Sequence, residues 1–482
     1  MSSLTSAVGI AVTGLKTTSS LVSVASNNVS NANTPGYSRK TSSVKSVNYN
    51  TEGGGSQISA TTRATDPSVT KNYNAAISNS SYYSTMNSYL SQTQSILDSS
   101  STNPTLSNDI SNFSSAWSNY SAEPESAIQQ QNVINTGKTL AGDIGTTSAK
   151  INALDTQVLA DTQTTITSLN NQLKQMANLN NVITASTTSG QETTDFQDQQ
   201  DSLVNSIASY LNITVQSRSN GQIALYTSTG QLLVDGGAAN QFTYNGTTIT
   251  DQSGNTVNGT VTGGILKAQL DFRDSTQANS TTAGVGAIAK LKSQISTLVA
   301  AFVNPSNNQT GANNSAFATA YSSAVTASTA STGTQNGDAL ASSFFSLSYF
   351  SDGTPDPGTL SVTASLQTGA SALPQTNTKA IADSFTSTAN YSTSGLSASN
   401  ITYSQLASQI LSGFQQSANS VSSNNVTYAS QESYYKTALS NSVGVNLDTE
   451  LANLQIYQNS YSACAHVITT VNSMINTLLQ SI

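Results

Sequence analysis

Apolar residues recur from the start of the chain in steps of four and three: Leu4, Val8, Ala11, Leu15, Thr18, Val22, Ala25 and Val29. That alternation is a heptad seam, and it predicts one helix of ~38 Å at about 1.5 Å per residue. Its small Ala and Thr members leave room for a second helix to approach closely. Asn33-Thr34-Pro35-Gly36-Tyr37 then stops the pattern. Pro35 disfavours helix at Thr34, and Gly36 permits a turn.

The far end repeats the rule with Leu447, Leu454, Tyr457, Tyr461, Cys464, Ile468, Val471, Ile475, Leu478 and Ile482. The chain leaves through the first stripe and returns through the second, so the two should pair antiparallel. Such a pair can dock on a core or leave part of its stripe for other subunits. The second option makes Leu4, Val8, Ala11, Leu15, Val22, Val29, Leu447, Leu454, Tyr457, Tyr461, Ile468, Val471, Ile475 and Leu478 an expected assembly interface.

Between the ends, Asp66-Pro67 reads as an N-cap followed by proline at N1. Tyr83, Met86, Leu90 and Leu97 continue at helical spacing. Leu140, Ile144, Ile151, Leu154 and Val158, then Leu169, Leu173, Met176 and Ile183, predict a long helix with an 11-residue stutter after Val158. Gly137, Gly142 and Gly145 are expected to break its first turns. From Ile213 to about Val261 short β-prone runs alternate with turns. Asn220-Gly221, Asn245-Gly246 and Asn258-Gly259 mark hairpins there. After Gly263-Gly264, "ILKAQLDFRD" opens a helix expected to run through Leu291, Ile295 and Leu298. The "GTLSVTASL" run alternates as a half-buried strand does. Helical spacing returns near Tyr403.

These elements predict an α+β fold, elongated and nested, with terminal coiled-coil-like helices, a long helical bundle and inserted small β domains. Expected boundaries are 1–45 with 440–482 for the terminal helical assembly domain, and 46–212 with 265–304 and 375–439 for a helical rod-like domain. Residues 213–264 are an inserted β domain, and 305–374 a low-complexity or β outer segment.

Composition narrows the function. Charged residues are 8% of the 482, apolar residues 36%, and the formal charge is −8. No basic patch is available to neutralise a phosphate backbone, so nucleic-acid binding is disfavoured. No continuous apolar run of about 18 residues occurs, so no membrane-spanning helix is expected, and no basic, apolar leader opens the chain. Cys464 is the only cysteine and His466 the only histidine. Two apart on a helix, they face different ways and make a poor metal pair. Asp195, Asp198 and Asp201 lack the alternating ligands and central glycine of a calcium loop and read as a solvated helix start. Asp271, Arg273 and Asp274 read as local helix electrostatics. Glu52 to Ser56, "EGGGS", reads as a flexible loop without the Lys-Ser/Thr of a phosphate cradle. No G-x-S-x-G occurs. No catalytic residue, metal site or cofactor is expected.

Several segments resemble flagellar axial proteins. Residues 2–39, with Asn33, Thr34, Pro35, Gly36 and Tyr37, resemble the rod–hook N-terminal signature, shared by rod, hook and junction proteins. "DFQDQQDSLVNSIASYLNI" resembles a D-x-R-D-x-L segment of the first hook-associated protein family, FlgK, with Gln200 in place of the usual Arg. "GGILKAQLDFRD" resembles that family's G-G-x-L-x-x-L-L-x-F-R. Residues 443–479 resemble its S-G-V-N-L-D-E-E C-terminus, with Val443 in place of Ser. The resemblance implies a structural subunit of the hook–filament junction that polymerises through its terminal helices. Implied partners are further copies of the chain in a helical homo-oligomer, the hook protein, a second junction protein on the filament side, and an export chaperone at the C-terminal helix. It also implies an extracellular place on the flagellum, export without a cleaved signal peptide, and no membrane insertion. A hook or distal-rod subunit is the alternative. A secreted axial protein with cell-wall hydrolase activity is the more distant one.

Overall fold

The computed structural model describes residues 2–49, 52–97, 106–303, 315–332, 339–340, 343–350 and 354–480. Ile482, the last member of the expected stripe, and parts of the 305–374 segment lie outside these residues. The architecture is α+β. In chain order it contains α1 (Ser2–Ser30), the antiparallel pair β1 (Lys40–Tyr49) and β2 (Glu52–Arg63), α2 (Pro67–Leu97), α3 (Leu106–Ala122), α4 (Ala127–Thr188) and α5 (Thr194–Tyr210). Next come β3 (Ile213–Ser217), β4 (Ile223–Thr227), β5 (Leu232–Asp235), β6 (Ala238–Ala239), β7 (Thr243–Tyr244) and β8 (Ile249–Thr250). Then follow α6 (Gly264–Arg273), α7 (Ala287–Val303), α8 (Ala316–Thr332), β9 (Ala339–Leu340), β10 (Phe345–Ser346), β11 (Ser361–Val362), α9 (Ala364–Gln367) and β12 (Ser371–Ala372). The chain closes with α10 (Thr378–Ser384), β13 (Ala389–Thr393), β14 (Leu396–Ile401), α11 (Tyr403–Val443) and α12 (Leu447–Gln480).

Two compact units divide these elements. One comprises Met1–Ser81, Thr165–Ile265 and Thr427–Ile482, and the other Tyr82–Thr164 and Leu266–Val426.

In the first unit, α1 packs against α12 and β2. A four-stranded antiparallel sheet, ordered β3-β4-β5-β6, lies beside the C-terminal part of α4. Asn180 on α4 holds it there. Its Nδ2 donates to Ile223 O at 2.9 Å and Gly236 O at 2.8 Å, and its Oδ1 accepts from Ile223 N and from buried Gln200 Nε2. Gln200 therefore satisfies a buried amide at the position where the FlgK-like motif has Arg. Asn220-Gly221 turns β3 into β4, and Asn245 accepts two backbone N–H groups between β7 and β8. Asn258-Gly259 makes no hairpin. It lies in a single 3₁₀ turn, and Asn258 Oδ1 accepts Ile249 N at 2.6 Å.

The second unit is built on aromatic side chains. Phe113, Trp117 and Tyr120 of α3 meet Phe302, Phe317, Tyr321, Phe344, Phe345, Phe385 and Tyr403, with Phe344 and Phe345 ring centres 4.8 Å apart. Such pairs favour edge-on and tilted geometries. The segment expected to lie outside, 305–374, thus supplies core residues, including Phe317, Phe344, Leu360 and Leu366. Long, spaced-out apolar side chains in a Ser/Thr-rich stretch carry no clear period, so the sequence concealed their burial. "GTLSVTASL" gives only the short β11 before turning into α9.

Other expectations also changed. α4 runs unbroken through Gly137, Gly142 and Gly145. At Gly137 a Cβ would lie 2.6 Å from the Phe344 ring, so this glycine makes space for aromatic packing rather than ending a helix. The helix beginning at Gly264 stops at Arg273, and α7 starts separately at Ala287. Arg273 pairs with Asp155 on α4 at 2.6 Å, joined there by Lys292 at 2.7 Å, so it links helices instead of adjusting its own. Burial pushes the Asp155 carboxyl up, but these two bases hold it below the usual range. Leu4–Ser30 within α1 is long and apolar enough by length and composition to cross a membrane, a test that the core helix of a soluble protein also passes. That corrects the reading from continuous runs, which Ser and Thr interrupt here.

Candidate assembly site at the chain ends

Two points fix the direction of the terminal pair. Gly14 of α1 faces Cys464, with Sγ 3.1 Å from where a Cβ would sit. Arg39, beyond the end of α1, bonds Glu450 in the first turn of α12. The helices are therefore antiparallel. Leu4, Val8, Leu15, Val22 and Val29 are half-buried, and Ala11 is buried. On α12, Leu454, Tyr457, Ile468 and Ile475 are half-buried and Val471 is buried. Leu447, Tyr461 and Leu478 are exposed.

Most of the expected seam is thus at least half-covered, while Leu447, Tyr461 and Leu478 remain open. A further set was missed by stepping in threes and fours: Leu451, Ile456, Val467, Met474 and Leu479 are also exposed. They lie off the seam on more than one side of it, Val467 and Met474 one heptad apart on one flank and Leu451 and Leu479 four heptads apart on the other. Exposed apolar groups in such number mark contact surfaces.

Beneath the pair is a polar joint built on the Asn33–Tyr37 turn. Asn33, Thr34, Pro35 and Gly36 are exposed at its tip, and Gly36 takes φ +81° as the turn requires. Tyr37 points back, its hydroxyl donating to Asn28 Oδ1 at 2.9 Å. Asn28 also bonds the Lys40 backbone in both directions, at 2.9 and 3.0 Å. Arg39 N–H donates to Val443 O at the end of α11, and Arg39 O accepts Ala64 N, each at 2.8 Å. The lysine Nζ of Lys40 pairs with Asp195, and Arg63 pairs with Asp198 at 3.2 Å and with Asp201.

The three aspartates do open α5, with Asp195 exposed in its first turn, but they are more than a solvated helix start. They hold the base of the β1–β2 hairpin, whose Lys and Arg lie over 130 residues away in sequence. Burial raises the Asp198 carboxyl, and Ser38 and Arg63 only partly offset this. Burial, then Asp198, Asp195, Glu450 and Glu192, push the Tyr37 hydroxyl up to about 12.

The "EGGGS" stretch is strand, not loop. Gly55 lies against α1 at φ +98°, where a Cβ would overlap Thr13 Oγ1, and Thr17 Oγ1 donates to Ser56 O at 2.9 Å. Gly55→Ala should lift the hairpin from α1, at a cost of roughly 1–3 kcal/mol. Hydrogen exchange should quicken in residues 52–63 and stay unchanged in α5. Unaltered protection of the hairpin would refute this contact.

Among the described residues, no group of three His, Cys, Asp or Glu side chains is arranged to hold a metal.

Known proteins resemble this arrangement segment by segment. Residues 90–316 match the flagellar hook-associated protein FlgK helical domain. Residues 438–481 match the flagellar basal body rod FlgEFG protein C-terminal family, and residues 10–37 the flagella basal body rod protein family. Ends and middle together are similar to one class, the axial proteins of the bacterial flagellum. Within it, the chain is similar to flagellar hook-associated protein 1, as its motifs implied. The relatives include that protein from Salmonella typhimurium, 26% identical over 49% of this chain and 44% of the relative. The Escherichia coli protein is 25% identical over the same shares, and the Bacillus subtilis protein 26% identical over 44% of each chain. The chain thus matches less than half the length of these relatives. The flagellar hook junction protein FlgK from Burkholderia pseudomallei aligns with TM-score 0.42 and 24% identity, over 48% of this chain and 42% of that one.

Proposed function

We propose that the chain is a structural, self-assembling subunit of the flagellar hook–filament junction and not an enzyme. The observation that supports this most is the antiparallel pair α1–α12, which leaves Leu451, Ile456, Val467, Met474 and Leu479 open beside its own seam. A helix pair of this kind gains by burying such side chains against neighbours, at ~1.5–3 kcal/mol per large side chain. Further copies of the chain are the proposed occupants. The hook protein, a second junction protein and an export chaperone on α12 are proposed partners, and the flagellum outside the cell is the proposed location. The match of the middle segment to the FlgK helical domain favours the junction over a hook or distal-rod subunit. Labelled protein on isolated hook–basal bodies is expected at the hook tip. Label along the hook shaft or in the rod would overturn the junction reading.

A further inference from the structure

α12 has 34 residues, and only Glu450 and Val471 are buried among those described. The rest of its seam is at most half-covered, so these two points weigh most in placing it. Val471 is an apolar contact, and apolar contacts in a repeating seam tolerate sliding. Glu450 is a charge with a directional partner. Its carboxylate accepts Arg39 Nε at 2.7 Å, and its side chain is 4% exposed.

Arg39 cannot follow a displaced α12, because its own N–H and carbonyl are bonded to Val443 and Ala64. The short link from α11 to α12 is held too: Gly444 N donates to Ser440 O at 2.9 Å, and a Cβ at Gly444 would overlap that oxygen. The next residues cap α12, with Asn446 accepting Thr449 N at 3.0 Å through its side chain and Glu450 N at 3.0 Å through its carbonyl. Apart from Tyr457 and Tyr461, the seam is built of small and aliphatic residues at heptad spacing, so a slip by one repeat would pair many similar side chains. Polar groups at single positions are what fix register in such pairs.

We propose that the Arg39–Glu450 ion pair sets the register of α12 on α1, so that both are positioning residues for the joining surface. This rests on the assembly reading for its purpose, but register itself is readable in the free chain. Gly14 supplies the probe. Gly14→Cys would place a second thiol opposite Cys464 in one register only.

In the full-length chain, mild oxidation of the Gly14→Cys variant should form an intrachain disulfide. Adding Glu450→Ala should slow its formation by about tenfold or more, since it removes the directional contact that ties the first turn of α12 to Arg39. The exchanged pair Arg39→Glu with Glu450→Arg should restore much of the rate, which a general loss of structure would not allow. Should Glu450→Ala fail to fold, Glu450→Gln carries the same comparison. Equal disulfide rates with and without the Glu450 carboxylate would overturn the proposal, as would no disulfide in Gly14→Cys alone. Mislocalisation of a chain whose disulfide forms at the full rate would strike the assembly reading only.

Discussion

Asp109→Asn will make the second unit more stable at about pH 8 and leave it nearly unchanged at about pH 4. Asp109 sits on α3 at 2% exposure, beside Ile110 and Phe113 of the aromatic core. Neither of its carboxyl oxygens has a hydrogen-bonding partner at ordinary distance, and the Asp143 carboxylate of α4 acts on it. Burial, and then the charge of Asp143, push the Asp109 carboxyl up to about 7. In the unfolded chain it titrates near ~3.9. Between those values the folded chain keeps a proton that the unfolded chain gives up. Stability is therefore fully present below the unfolded value and falls as pH rises through about 7, at roughly 1.4 kcal/mol per unit. The total loss is on the order of a few kcal/mol. An amide has no proton to lose, and it can donate to Asp143. Thermal melts at the two pH values test this, with a slope in wild type and a flatter line in the variant. Identical slopes would show that Asp109 does not carry the pH dependence.

Val471→Asp will detach α12 from α1 while leaving α4, α5 and their sheet folded. Val471 is the apolar residue that α12 buries, and an unpaired carboxylate there costs on the order of several kcal/mol. Hydrogen exchange should become fast from Leu447 to Gln480 and stay slow in β4 and α5. Met474→Asp is the contrasting change, because Met474 is exposed and off the seam. It should keep the pair protected yet prevent joining of copies at the hook tip. If both variants behaved alike, the seam and the open side of α12 around Met474 would not be separate surfaces. Normal junctions with either one would remove α12 from the proposed interface.

The contrast between these residues shows what the sequence could reveal. Leu454, Ile468, Val471 and Ile475 were legible because a seam between two helices imposes a fixed period. Asp66 and Pro67 were legible because capping is local, and Asp66 does accept Ser68 N and Val69 N. The joint was not legible. Lys40, Arg63 and Arg39 meet acids far along the chain, and nothing in local spacing announces a tertiary ion pair. Glu450 looked like an ordinary acid in a first helical turn. The β1–β2 hairpin was missed because its alternation is of Ser, Thr and Gly, and its packing on α1 depends on the absence of a side chain at Gly55. The core role of Phe344 and Phe345 was hidden by the polar run around them.

The scarcity of bases has a consequence for enzymes that cut proteins. Beyond Lys292 the chain contains only Lys379 and Lys436, and α12 contains neither Lys nor Arg. Trypsin-like proteases, which cleave after a base, find no bond to attack anywhere past Lys436. Proteases that cleave after large apolar or aromatic residues find Leu451, Tyr461, Met474 and Leu479 on open surface. One class of cleavage is thus blind to the surface by which copies would join, and the other reads it directly. A neighbour seated on α12 would show itself as shelter from the second class alone.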